Sequence, residues 1–151
     1  VNSKQQLFSE NEGILPIDVP SVMIVESDPC IAETLQEVVK KELQLDLLFA
    51  STAKGALQIT QVLRPLMFVI NEHLIDGDGV SLVEQLTRRR VGMQQLPIIL
   101  LSTNRRSCQQ QTRNPYLFLM DLPFELEDLI STITHLVALS GQPLYAVQKP
   151  A

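Results

Sequence analysis

Apolar and polar positions run along this chain in short blocks. Five apolar runs, at 22–25, 45–50, 66–70, 97–101 and 116–120, each end in polar or turn residues. Their length and abrupt polar ends predict β-strands. Three of them are apolar at nearly every position, which suits parallel strands covered on both faces. Asp46 interrupts the second run, so that strand is expected at an edge.

Helical spacing fills the gaps. Ile31, Leu35, Val38, Val39 and Leu43 form one stripe, with Asp28 placed as its N-cap and Pro29 in its first turn. Ala53, Ala56, Leu57 and Val62 form a second. Val80, Leu82, Val83 and Leu86 form a third, which ends at Arg88-Arg89-Arg90. The longest stripe, Leu126, Leu129, Ile130, Ile133, Leu136 and Val137, belongs to the last helix. Residues 104–113 are almost wholly polar, with only Cys108 apolar. A helix there has little to bury and is expected to be the least ordered part of the core.

Strand and helix thus alternate five times. That pattern gives a parallel sheet with helices on both faces and right-handed crossovers. With an edge-type second strand, the expected fold class is α/β, a flavodoxin-like (βα)5 doubly wound sheet of strand order 2-1-3-4-5. In such sheets chemistry gathers at the carboxyl ends of the strands, here Glu26-Ser27-Asp28, Asn71-Glu72-His73 and Ser102-Thr103. Residues 1–20 are polar, hold Pro16 and Pro20, and read as an N-terminal extension. Residues 21–140 make the domain, and 141–151, with Gly141, Pro143 and Pro150, a tail or linker. A chain opening on Val1 rather than Met reads as a processed or excised piece of something longer.

Composition narrows the function. The 151 residues suit one domain, and 45% hydrophobic with 19% charged residues is a globular balance. A net charge of -5 disfavours nucleic-acid binding by this domain alone. No apolar run reaches the ~18 residues of a membrane span. Cys30 and Cys108 match no zinc or redox spacing and are expected to be reduced thiols in a cytoplasmic protein. Asp76-Gly77-Asp78-Gly79 invites a calcium-loop reading. With Gly79 as the turn glycine, however, Leu74 and Gln85 would have to be ligands, and neither can serve. His73 reads as a solvated loop residue and His135 as packing or surface. The arginines at 88–90, 105 and 106 read as a solvated helix end favoured by the helix dipole. Glu26 and Ser102 as base and nucleophile lack a third orienting group, so no enzyme is expected.

From Ser21 to Leu139 the chain resembles the receiver domain of two-component response regulators. Four landmarks, in order, carry the resemblance: the acidic turn Val25-Glu26-Ser27-Asp28-Pro29, the stretch 68–79 closing on Asp78-Gly79, the strand 97–101 followed by Ser102-Thr103, and Leu122-Pro123-Phe124 before the last helix. The family phosphorylates an aspartate at the end of strand three, where this chain has Asn71, a poor nucleophile beside a carboxylate. It holds Mg²⁺ with two acids after strand one. Here those places are Glu26 and Ser27, with Asp28 next in line, and the set is thin for magnesium. The lysine place is Leu122, the hydroxyl after strand four is kept as Ser102, and the switch-aromatic place is Leu119, with Tyr116 and Phe118 near.

The resemblance therefore implies a degenerate pseudo-receiver. It would take no phosphate and need no cofactor, and no Mg²⁺ binding is expected. Its role would be binding a protein partner or a second copy through the face of helix four, strand five and helix five. In a longer parent it could control an output domain. A conventional phosphorelay receiver with an atypical site, or a small-ligand sensor using the emptied pocket, are the alternatives.

Overall fold

The computed structural model describes residues 16–88, 96–104 and 116–139. Five strands build its main sheet: β1 (Ser21–Val25), β2 (Asp46–Ala50), β3 (Met67–Asn71), β4 (Ile98–Ser102) and β5 (Leu117–Asp121). All neighbours pair in parallel in the order β2-β1-β3-β4-β5, the doubly wound arrangement expected. β1, β3 and β4 are buried along their whole length, whereas β2 is an edge strand with Asp46 and Phe49 exposed.

Side-chain alternation divides the core between the two faces of the sheet. Val22, Ile24, Met67, Val69, Ile99 and Leu101 join one apolar cluster with α1 (Pro29–Glu37) and the last helix. Met23, Val25, Phe68, Ile70, Ile98 and Leu100 point the other way, onto α2 (Ala53–Ile59) and α3 (Gly79–Thr87). The last helix described, α4 (Leu126–Leu139), buries Leu129, Ile133, Leu136 and Val137. This spacing of three and four is the one that puts side chains on a single helical face.

Several boundaries differ from the pattern along the sequence. β3, β4 and β5 begin one residue later than their apolar runs and continue one residue further, into Asn71, Ser102 and Asp121. Ladder pairing carries them on: Asn71 lies opposite Leu101, and Ser102 opposite Asp121. Backbone hydrogen bonding, indifferent to side-chain polarity, thus seats two site residues on rigid strand ends. The first helix gives way to a π-helical turn over Val38–Glu42, closed by the Leu43 N–H on Val38 O at 3.0 Å. Val38 and Leu43, five apart, share the core because five residues nearly span one wide turn. Val62 falls beyond α2 and is 60% exposed, and Leu126, in the first turn of α4, is 45% exposed, so neither belongs to its expected stripe. Just before the main sheet, Ile17–Asp18 makes a two-residue parallel bridge with Leu63–Arg64, although residues 1–20 carry no strand period. Residues 105–113 of the polar segment, Cys108 and Arg89-Arg90 lie outside the described residues.

Candidate functional site

The carboxyl ends of β1, β3 and β4 meet at one pole of the sheet, as the crossover topology requires. Close approach there depends on Gly79. A Cβ at this position would lie 2.3 Å from the Asn71 carbonyl oxygen, and the Gly79 N–H donates to Glu72 O at 2.7 Å. The start of α3 therefore lies directly against the end of β3, which holds Asn71 in place.

Glu26 follows β1 and is almost wholly buried, at 1% exposure. Both of its carboxylate oxygens have donors. Asn71 Nδ2 donates to Oε1 at 2.7 Å, and the Asp28 backbone N–H donates to Oε2 at 3.0 Å. Burial pushes the Glu26 carboxyl above its ordinary value of 4.5. The Asn71 and Asp28 hydrogen bonds act the other way, and the nearby Asp28 charge adds to the rise. Asn71 is buried too, and its Oδ1 accepts the His73 N–H at 2.9 Å. One amide thus satisfies a carboxylate with its nitrogen and a loop N–H with its oxygen.

The other expected positions also have work. The Ser27 hydroxyl donates to Ser51 O, after β2, and accepts the Ile75 N–H at 2.9 Å, in the loop after β3. Ser27 therefore ties three loops together where the resemblance implied only a missing acid. Asp28 is the N-cap of α1, its Oδ1 accepting from Cys30 N at 2.8 Å and Ile31 N at 3.2 Å. Ser102 is fully buried, and its Oγ accepts the Asn104 N–H at 2.8 Å. Leu122, in the lysine place, packs half-buried on the cluster beneath α1 and α4, next to a cis bond to Pro123. With Cys30, Ile31, Thr34, Thr103, Pro123 and Phe124 it lines an open cleft of ≈ 510 Å³. Leu119, in the switch place, packs half-buried against the opposite cluster.

Glu72 and Asp76 stand in stretches that the sequence singled out, but their contacts were not foreseen. Glu72 reaches across to β4: its Oε1 accepts from the Thr103 N–H at 2.8 Å and from the Thr103 hydroxyl at 3.0 Å. Asp76 accepts from Ala53 N at 2.8 Å and Lys54 N at 3.0 Å, capping α2 from another loop. Asp78 instead caps its own helix, accepting from Ser81 N at 2.7 Å. Both loop acids of the Asp-Gly-Asp-Gly stretch thus serve as helix caps. His73 is exposed as expected, with its Nε2 3.3 Å from Glu72 Oε1, and His135 is exposed on α4. An acid directly after a strand of apolar residues was the available signal for Glu72.

No protein-family model matches the chain. No curated protein matches it. Solved structures do. A sensor protein from Polaromonas sp. superposes with a TM-score of 0.68 at 25% identity, covering 80% of this chain and 98% of that one. The signal receiver domain of a signal transduction histidine kinase from Syntrophus aciditrophicus gives 0.71 at 19% identity, covering 83% and 95%. The receiver domain of a sensor histidine kinase from Pseudomonas aeruginosa, solved with a magnesium ion coordinated in its active-site cleft, gives 0.65 at 19%, covering 82% and 98%. The strand order, the helix placement and these superpositions together show that the chain has the fold of response-regulator receiver domains.

Proposed function

We propose that this domain works in signal transduction as a phosphorylation-independent, pseudo-receiver type of interaction module, and not as an enzyme. The observation that carries the reading is the bridge at Asn71. Where a phosphorylatable receiver needs a carboxylate, this chain has an amide, and both ends of it are hydrogen-bonded, to Glu26 and to His73. The amide offers no nucleophilic oxygen comparable to a carboxylate's. Leu122 brings no cation to a phosphoryl group.

The donor set also fits Mg²⁺ poorly. Magnesium takes near-octahedral oxygen ligation, usually with one or two carboxylates. Glu26 is the single carboxylate at the acid pair, and both of its oxygens accept from protein donors. Asn71 Oδ1 and Ser27 Oγ are likewise engaged. The same engagement counts against a polar ligand in an emptied pocket.

The partner is a protein or a second copy of the chain, bound through β5, α4 and the segment between β4 and β5, most of which lies outside the described residues. No nucleic acid and no membrane are expected as partners of this domain, and its place is the cytoplasm. The experiment is incubation of the whole chain with acetyl phosphate and Mg²⁺, followed by intact-mass measurement. The mass should not change. A phosphoryl adduct mapped to residue 71 or its neighbours would overturn the reading.

A further inference from the structure

Glu72 is only 9% exposed, yet it carries a carboxylate. Its Oε1 accepts two bonds from Thr103, 31 residues away, and the His73 ring lies against the same oxygen. The next amide along is held as well, because Asn104 N–H donates to Ser102 Oγ. The backbone leaving β4 is thus gripped by two side-chain oxygens, one of them from β3's end. Thr103 itself is an exposed residue, and its amide bond to Glu72 is part-buried.

A receiver that switches needs two arrangements of its loops, separated by a few kcal/mol, with some added group biasing one of them. Hydrogen bonds to a carboxylate are about twice as strong as those between neutral groups. We propose that Glu72 is a built-in acceptor that holds the end of β4 in one arrangement, so that the domain presents a pre-set surface there with no external group. This rests on the phosphorylation-independent reading above and names the residue that sets the conformation. Both Thr103 bonds converge on a single oxygen, so an amide oxygen at the same place can accept them. Glutamine should therefore keep the clamp in weakened form, and alanine should abolish it.

Amide hydrogen exchange on the whole chain, read residue by residue by NMR, tests this. In the wild type the Thr103 amide should exchange slowly. Glu72→Ala should speed it by about tenfold or more, the change expected for one bond to a charged group. The amides of Ile24 and Val69 should keep their rates, and Glu72→Gln should leave Thr103 exchanging at a rate between those of wild type and Glu72→Ala. Equal Thr103 rates in wild type and Glu72→Ala would overturn the proposal. So would a uniform acceleration of the β1 and β3 amides, which marks a general stabiliser. A second measurement needs no variant: a through-hydrogen-bond coupling between the Thr103 amide nitrogen and the Glu72 carboxyl carbon should be present, and its absence would also overturn the clamp. The two ideas fail separately. A phosphorylated chain with a slow Thr103 amide defeats the functional reading alone, and an unphosphorylated chain with a fast one defeats the clamp alone.

Discussion

The Asn71 side chain has a donor end and an acceptor end, and the site uses each: the nitrogen on Glu26 Oε1, the oxygen on the His73 N–H. An aspartate could keep only the second bond. Its other oxygen would face Glu26 at close to the present 2.7 Å. Two unit charges 4 Å apart already repel by about 4 kcal/mol at an effective dielectric near 20. Asn71→Asp should therefore destabilise the domain at neutral pH by about 1–3 kcal/mol, with no lysine at 122 to offset it. Denaturant unfolding across a pH series checks this, and the sign is fixed. Burial already raises the folded pKa of Glu26 above 4.5, and a second carboxylate raises it further. A raised carboxyl contributes stability that is present below its unfolded pKa and lost as pH rises through its folded one. The gap between variant and wild type should accordingly shrink as the solution is acidified. A gap that is constant with pH would mean that the two carboxylates do not meet.

Helix starts are where single residues do most for whole elements in this chain. Asp28 and Asp78 cap the helices that follow them, a role that local sequence can specify. α2 is capped twice. Its own Thr52 accepts the Gly55 N–H at 2.9 Å, and Asp76, from the far side of β3, takes the N–H groups of Ala53 and Lys54. Those two bonds, the Lys54 one foremost, hold the Asp76 carboxyl below its ordinary value of 3.8. A depressed carboxyl contributes stability present above its unfolded pKa and lost as pH falls through the folded one. A side-chain amide in its place would turn its –NH₂ toward one of the two donors and lose that bond. Asp76→Asn should lower the melting temperature at neutral pH, and the two proteins should converge once the wild-type carboxyl is protonated. Thermal unfolding followed by circular dichroism measures both. A difference that persists in acid would assign the effect to packing rather than to the cap.

Across the molecule, side-chain bonds link the first four loops at the carboxyl pole. Ser27 joins the first three, Asp76 the second and third, Asn71 the first and third, and Glu72 the third and fourth. At that pole both Glu26 oxygens accept from protein donors, an amide and a backbone N–H. A metal bound to the native state at 100 times its dissociation constant would add about 2.7 kcal/mol of stability. Millimolar Mg²⁺ should instead leave the melting temperature of the whole chain where it was. A clear rise that Glu26→Ala removes would show that the pole still holds the ion.

The order of elements, the edge position of β2, the Asp28 cap and the divided core were legible in the sequence. Each rests on a repeat of two or of three and four, or on a neighbour within one turn, and a linear pattern records such relations directly. The residues at 27, 71 and 122 could be singled out only through the resemblance, by counting from strand ends and from the Pro123-Phe124 pair. What those residues do instead was decided by the tertiary structure. Ser27 reaches Ser51 and Ile75, Asn71 reaches Glu26, Asp76 reaches Ala53 and Lys54, and Glu72 reaches Thr103, at separations of 22 to 48 residues. Such bonds exist only because parallel crossovers bring every strand's carboxyl end to one pole. No periodicity encodes which polar side chain will face which there. That choice is made by the geometry of close approach, down to the missing Cβ of Gly79 against Asn71.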